Sequence, residues 1–343
     1  MEILIGLLII AVGAFCQSSS YVPIKRVKSW SWESFWLVQG VFAWLVFPLI
    51  GAMLAAPGGE TLCGLFSSAD PKRLWLTILF GALWGVGGLT FGLSMRYLGV
   101  ALGQSIALGT CAGLGTILGP VMLNVFFPEG NYLAQLTAAV IWGVVITLVG
   151  IAVIGYAGAL KAGTLSDEQK REAVKDFNFP KGIAIALLAG VMSGCFNVGL
   201  EFGSAIAFEG SPEIYRTLPA TLLVTIGGFV TNAAYCLWQN GRNGTFGDYG
   251  KGSLYLNNLC FCALAGLLWY SQFFGLSLGK GFLASSPVLL TFSWCILMAL
   301  NVTFSNVWGI ILREWSGTTA RTKVVLVCGL VVLIVSTFLP QIL

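Results

Sequence analysis

Apolar runs recur along almost the whole chain, each about 20 residues long, enough for a helix to cross roughly 30 Å of hydrocarbon. A bilayer core offers no water to pair backbone N–H and C=O groups, so such runs must fold as helices that pair those groups internally. Charged residues and Pro/Gly breaks delimit ten runs, near 4–22, 34–56, 74–95, 100–125, 133–154, 182–207, 217–238, 255–276, 284–311 and 323–342. With 57 % of the 343 residues hydrophobic and 9 % charged, almost nothing remains for a soluble domain. The expected fold is an all-α polytopic membrane protein with ten transmembrane helices. The first run carries Glu2 where a signal peptide would be basic, and it continues through Cys16 without a small-residue cleavage site. It reads as span 1.

The longest polar connection, Gly155–Lys181, divides the spans five and five. Phe91-Gly92-Leu93-Ser94 closes span 3, and Phe274-Gly275-Leu276-Ser277 closes span 8. Leu83-Trp84 and Leu268-Trp269 precede them, and Gly6 and Gly182 open spans 1 and 6. Two halves of five spans each, related by duplication, must lie in opposite orientations, as in many secondary transporters. The expected organisation is therefore a first five-helix repeat over 1–160, a connection over 161–181 and a second, inverted repeat over 182–343. Fourteen of the eighteen Lys and Arg residues fall in odd-numbered connections and four in even-numbered ones. The positive-inside rule then places the odd connections in the cytoplasm and both termini outside. This asymmetry accounts for the net charge of +4, and no nucleic-acid partner is implied.

Candidate chemistry is sparse. There is no histidine, so an intramembrane proton relay would fall to a carboxylate. Of fourteen Asp and Glu residues, only Glu201 lies well inside a predicted span, and ionisable groups at such depth are costly enough to mark function. Amides and hydroxyls interrupt several spans: Gln17, Ser18 and Ser19, Gln104 and Ser105, Asn197, Asn232, Gln272, Asn301 and Asn306. Asn and Gln offer a donor and an acceptor in one side chain, which suits a polyol ligand, but interhelical hydrogen bonding uses them equally well. Trp84, Trp269, Tyr270 and Trp294 lie deep, where an aromatic face can cover the C–H face of a sugar or simply pack in a core. Trp30, Trp32, Trp36, Tyr97 and Trp315 lie at span ends, as interfacial aromatics do.

Eight of the nine cysteines lie within apolar runs, which argues against a disulfide framework or a metal centre. Catalytic signatures and a phosphate-binding G-x-x-x-x-G-K-[ST] loop are both missing, so the expectation is a protein that is not an enzyme and needs no cofactor.

Several segments resemble one family. Lys25-Arg-Val-Lys-Ser-Trp-Ser-Trp-Glu33, Gly81-Ala-Leu-Trp-Gly-Val-Gly87, Met95-Arg-Tyr-Leu-Gly99, Trp269-Tyr-Ser-Gln-Phe-Phe274 and Arg313-Glu-Trp315 are similar, in order and spacing, to the L-rhamnose–proton symporters. The resemblance implies a ten-helix carrier of the drug/metabolite transporter superfamily in the bacterial inner membrane, importing L-rhamnose with protons by alternating access. On that expectation spans 1, 3, 4, 6, 8 and 9 line the path. Trp269 and Gln272 contact the sugar, with Gln17, Trp84, Asn197 and Asn301 completing the site. Glu201 takes the proton; it lies outside the matching motifs, so its role rests on its depth. Lys25, Glu33, Arg96 and Arg313 form a cytoplasmic motif or gate, Glu33 by pairing with a cation or capping its helix. A carrier of another sugar or small metabolite with the same fold, or a sugar-binding membrane sensor that does not translocate, is the competing reading. The oligomeric state is open, and a monomer would suffice.

Overall fold

The computed structural model of the chain describes residues 1–98, 100–163, 179–250, 252–313 and 315–341; the side chains of 92, 95, 96, 100–102, 104, 105, 162, 179, 253 and 341 are not described. Gln104, Ser105, the Arg96 side chain and the charged run Asp167–Lys175 therefore lie outside the described set. Among the described residues, ten helices are long and apolar enough to cross a membrane: Glu2–Ile24, Trp32–Leu54, Pro71–Phe91, Ile106–Phe126, Ala138–Lys161, Pro180–Gly203, Glu213–Asn243, Leu254–Phe282, Pro287–Ile311 and Ala320–Phe338. These are spans 1 to 10.

Local chemistry sets their ends. Ser31, Ser286 and Thr319 each accept a hydrogen bond from the backbone N–H three residues on, satisfying an orphan donor of spans 2, 9 and 10. Gly244, at φ 67°, takes the left-handed turn that stops span 7. Arg313 takes the same conformation (φ 60°) just past span 9 without the freedom of a glycine. Span 6 ends at Gly203 rather than near 207, because Ser204 N–H and Oγ both turn back onto the Glu201 carbonyl. Glu201 thus lies in the last turn of its helix, nearer the helix end than the sequence placed it.

The chain forms two compact units, each drawing spans from both halves of the sequence. Unit 1 comprises Met1–Gly85 and Gly199–Leu283. Within it, span 1 packs on span 8 at backbone distance. A Cβ added at Gly6 would stand 2.9 Å from the Gly279 carbonyl oxygen, and one at Gly13 would stand 2.8 Å from that of Ser271. Small residues permit such approach where lipid offers no hydrophobic drive for association. The first part of span 3 packs on span 7 and on the last turn of span 6, where Phe80 meets Phe202 at 5.3 Å.

Unit 2 comprises Val86–Val198 and Ala284–Leu343. Its core joins spans 4, 6 and 9. Trp294 stacks on Phe196 at 5.8 Å, and its indole N–H donates to the Cys111 carbonyl at 3.2 Å. Trp294 is therefore a packing residue of this core, with its polar edge satisfied. Spans 5 and 10 meet through Thr147 Oγ1, which donates to Ser336 Oγ at 3.0 Å.

Candidate functional site

Unit 1 holds a cluster of three tryptophans from three spans. Trp44 stands edge-on to Trp84 (5.8 Å, 89°) and to Trp269 (5.9 Å, 80°), while Trp84 and Trp269 lie 5.7 Å apart at 32°. Phe273 closes on Trp269 at 5.0 Å. Trp36 meets Trp44 at 5.7 Å, and Trp32 stacks on Trp36 at 5.4 Å, so a column of aromatic rings leads from the start of span 2 to the cluster. Trp36 belongs to this column and not merely to an interfacial belt.

The backbone of span 2 makes the column possible. Val41–Val46 winds as a π-helical turn. In an unbroken α-helix, residues 36 and 44 would sit about 80° out of phase; absorbing one residue in a wide turn reduces this to about 20°. Both indoles then share a face. Gly228 of span 7 makes room for Trp84, whose ring occupies the space a Cβ there would fill. Asn232, one turn on, accepts from the Trp36 indole N–H at 3.0 Å and donates its amide to the Gly228 carbonyl at 2.9 Å.

Three polar atoms in this neighbourhood are buried without a hydrogen-bond partner among the described residues: Trp44 Nε1, Gln39 Oε1 and Tyr270 Oη. Trp44 and Gln39 are 4 % and 3 % exposed. Each unsatisfied group costs about 1–3 kcal/mol, a penalty a folded protein retains where something else pairs the group. Flat aromatic faces beside unpaired donors and acceptors match a sugar, which presents C–H faces and hydroxyls in alternation.

Of the expected sugar contacts, Trp84, Trp269 and Gln272 come together in unit 1. Trp84 and Trp269 are half-buried; Gln272 is buried and donates to the Trp269 carbonyl at 3.1 Å. Gln17, one turn beyond the Gly13 contact with span 8, accepts from Ser18 Oγ at 3.4 Å. Asn197 and Asn301 are buried in unit 2. Asn197 donates to the Gly115 carbonyl at 2.9 Å, and its side-chain oxygen has no partner among the described residues. Sequence reasoning passed over Trp44 and Gln39, because a Trp and a Gln in span 2 carry no spacing signal before the wide turn is known.

Glu201 faces Lys280 of span 8, carboxylate to ammonium, at 3.6 Å, with side chains 20 % and 15 % exposed. The carboxylate singled out for its depth is thus half of an ion pair that ties the end of span 6 to the end of span 8.

At the opposite end of spans 7 and 8, Glu33 is buried in the first turn of span 2, where the helix dipole favours an acid. Its carboxylate accepts from Asn243 Nδ2 at 3.0 Å and Thr245 Oγ1 at 2.8 Å. Asp248 accepts from the Ser31 N–H at 2.7 Å and from Ser34 Oγ at 2.9 Å. Asn240 joins the two halves, donating to Ser34 Oγ and Thr245 Oγ1 and accepting from the Tyr249 hydroxyl at 3.0 Å. Burial pushes the Tyr249 phenol above its ordinary range, which keeps it a neutral donor. Asn258 clamps the preceding loop, pairing with both the N–H and the C=O of Lys28. Lys25 and Arg313 are exposed.

A family model described as L-rhamnose-proton symport protein (RhaT) matches residues 1–341. The L-rhamnose-proton symporter of Yersinia pestis (strain Pestoides F) is 32 % identical over 348 aligned positions, covering 97 % of this chain and 96 % of that one. The L-rhamnose-proton symporter of Yersinia pseudotuberculosis serotype O:1b (strain IP 31758) matches to the same extent.

Proposed function

This chain belongs to the L-rhamnose-proton symport protein family, and we propose that it imports L-rhamnose with protons across the bacterial inner membrane. The whole-length family match carries this reading. The chain is a transporter and not an enzyme. The sugar site we assign to the indole faces of Trp44, Trp84 and Trp269, with Gln39, Tyr270 and Gln272 supplying hydrogen bonds to its hydroxyls. The support is the clustering of the three indoles together with buried polar atoms of Trp44, Gln39 and Tyr270 that have no hydrogen-bond partner among the described residues. The sugar's 6-deoxy methyl group suits an aromatic wall better than a hydroxymethyl group would, since it needs no hydrogen bond there.

Proton coupling we assign to Glu201. Protonation cancels its attraction to Lys280 and releases the tie between spans 6 and 8, which gives proton binding a structural consequence. The network around Glu33, Asn240 and Asp248 we read as the cytoplasmic gate, on the topology that the basic residues support.

The five-plus-five inverted repeat, which would underlie alternating access, has support from packing. Carried over by the shifts that relate Gly6 to Gly182 and Phe91 to Phe274, the Gly6–Gly279 contact of span 1 with span 8 maps to position 96 facing Gly182. Gly182 packs on the adjacent Tyr97 and Leu98. The deciding experiment is uptake of labelled L-rhamnose by proteoliposomes under imposed proton or sodium gradients, with L-fucose, L-mannose and L-lyxose as competitors. Accumulation driven by a proton gradient and best competed by unlabelled L-rhamnose is expected; accumulation of another sugar alone would reassign the substrate.

A further inference from the structure

A groove of about 400 Å3 runs between spans 4 and 5 of unit 2, lined among others by Gly109, Leu148, Ile151, Ala152, Tyr156 and Ala159. Its lining is hydrocarbon except for the hydroxyls of Thr110 and Tyr156. At one end, Arg321 of span 10 donates to the half-exposed Tyr156 hydroxyl at 3.3 Å. Lys161, just past that end on span 5, holds its ammonium 4.9 Å over the Trp315 ring. Arg321 and Lys323 are exposed in the first turns of span 10, where the positive end of the helix dipole disfavours cations. Among the described residues Arg321 meets no carboxylate. Neither its own helix nor an acid among the described residues accounts for its charge.

We propose that this groove binds an anionic glycerophospholipid. One acyl chain lies along span 5 from Ala159 to Leu148, about 16 Å at 1.5 Å per residue. The phosphate meets the Arg321 guanidinium, and the Tyr156 hydroxyl, already accepting from Arg321, gives its own proton to a phosphate oxygen. A zwitterionic lipid fits the same groove but brings an ammonium toward Arg321 and Lys161. A helix from a second copy of the chain would fill the apolar floor and bring Arg321 no counter-charge. Charge complementarity therefore selects the anionic lipid. On the proposed topology the site faces the cytoplasmic leaflet, whose anionic lipids attract such clusters. The proposal rests on the membrane fold and not on which sugar is carried.

Native mass spectrometry of the delipidated, detergent-purified chain tests it, with dioleoyl phosphatidylglycerol against dioleoyl phosphatidylcholine. Wild type should retain one phosphatidylglycerol about fivefold more strongly than phosphatidylcholine. Arg321→Gln should lose that preference and still bind phosphatidylcholine weakly, and Tyr156→Phe should weaken the preference. Ala152→Trp should block both lipids; Gly109→Leu fills the same groove if the tryptophan variant fails to remain monodisperse. Equal retention of the two lipids by wild type, or an Arg321→Gln variant with the wild-type preference, would overturn the proposal. So would a lipid-independent dimer that Ala152→Trp dissociates, which would give the groove to a second copy.

Discussion

Trp44 shows how one residue's role depends on its surroundings. In sequence it is one apolar residue inside Val41–Pro48; in the fold it is nearly closed to solvent, touches Trp84 and Trp269, and holds an indole N–H without a partner among the described residues. Trp44→Phe keeps an aromatic six-membered ring and removes the donor together with the smaller ring of the indole. It should raise the KM for L-rhamnose about tenfold, the usual cost of one hydrogen bond to a bound ligand, and change kcat little. Uptake kinetics in proteoliposomes measure both, and an unchanged KM would remove the indole from the site. Glu201 was legible as a functional candidate because a carboxylate in an apolar run is rare; Lys280 was not legible as its partner, since 79 positions separate them in sequence. Glu201→Gln should abolish uphill, proton-driven accumulation while counterflow exchange of labelled for unlabelled sugar persists. Medium alkalinisation during uptake that matches wild type would refute the coupling role.

At the scale of elements, composition predicts where helices lie, and local chemistry decides where they stop and how they face. The positions of spans 2 and 7 were readable from the apolar runs near 34–56 and 217–238, although span 7 runs on to Asn243 before Gly244 stops it. The wide turn of span 2 was not: Val41–Val46 is an ordinary apolar stretch, and its winding is set by the partners that Trp36 and Trp44 find on spans 3, 7 and 8. The polar network joining the ends of spans 2 and 7 was invisible for the same reason, because its members come from segments about 200 positions apart. Asn240 is its hinge. Asn240→Ala removes hydrogen bonds to Ser34, Thr245 and Tyr249 and should cost about 1–3 kcal/mol, since buried partners are left unpaired. A lowered thermal unfolding midpoint in detergent would register this, whereas Leu237→Ala, at an exposed position one turn back on the same helix, serves as the neutral control.

For the whole molecule, ten spans and a one-sided distribution of basic residues fix an expected orientation that can be tested directly. Cys63 is the one cysteine in a connection between spans, in the exposed helix Leu62–Ser68, and the topology puts that connection outside. A membrane-impermeant maleimide should label Cys63 in intact spheroplasts, and Cys63→Ser should abolish the signal. Labelling only after permeabilisation would reverse the orientation. The two compact units regroup the spans across the sequence halves, with spans 3 and 6 contributing to both. A linear reading can match Phe91–Ser94 to Phe274–Ser277, but it has no means to see that grouping, which depends on which backbones approach closely enough to pack.

Sequence by itself determined the solvent, the helix count and the class of protein, because burying apolar runs in lipid is a local requirement that each run meets alone. It also exposed Trp84, Trp269, Gln272 and Glu201, whose types are conspicuous against an apolar background. Only the tertiary structure decided their company: Trp44 edge-on to the two indoles, Lys280 opposite Glu201, and Asn243 and Thr245 on Glu33. Those pairings join distant segments, and hydrogen bonds and ring contacts act over a few ångströms. No pattern along the chain encodes such distances until the helices have packed.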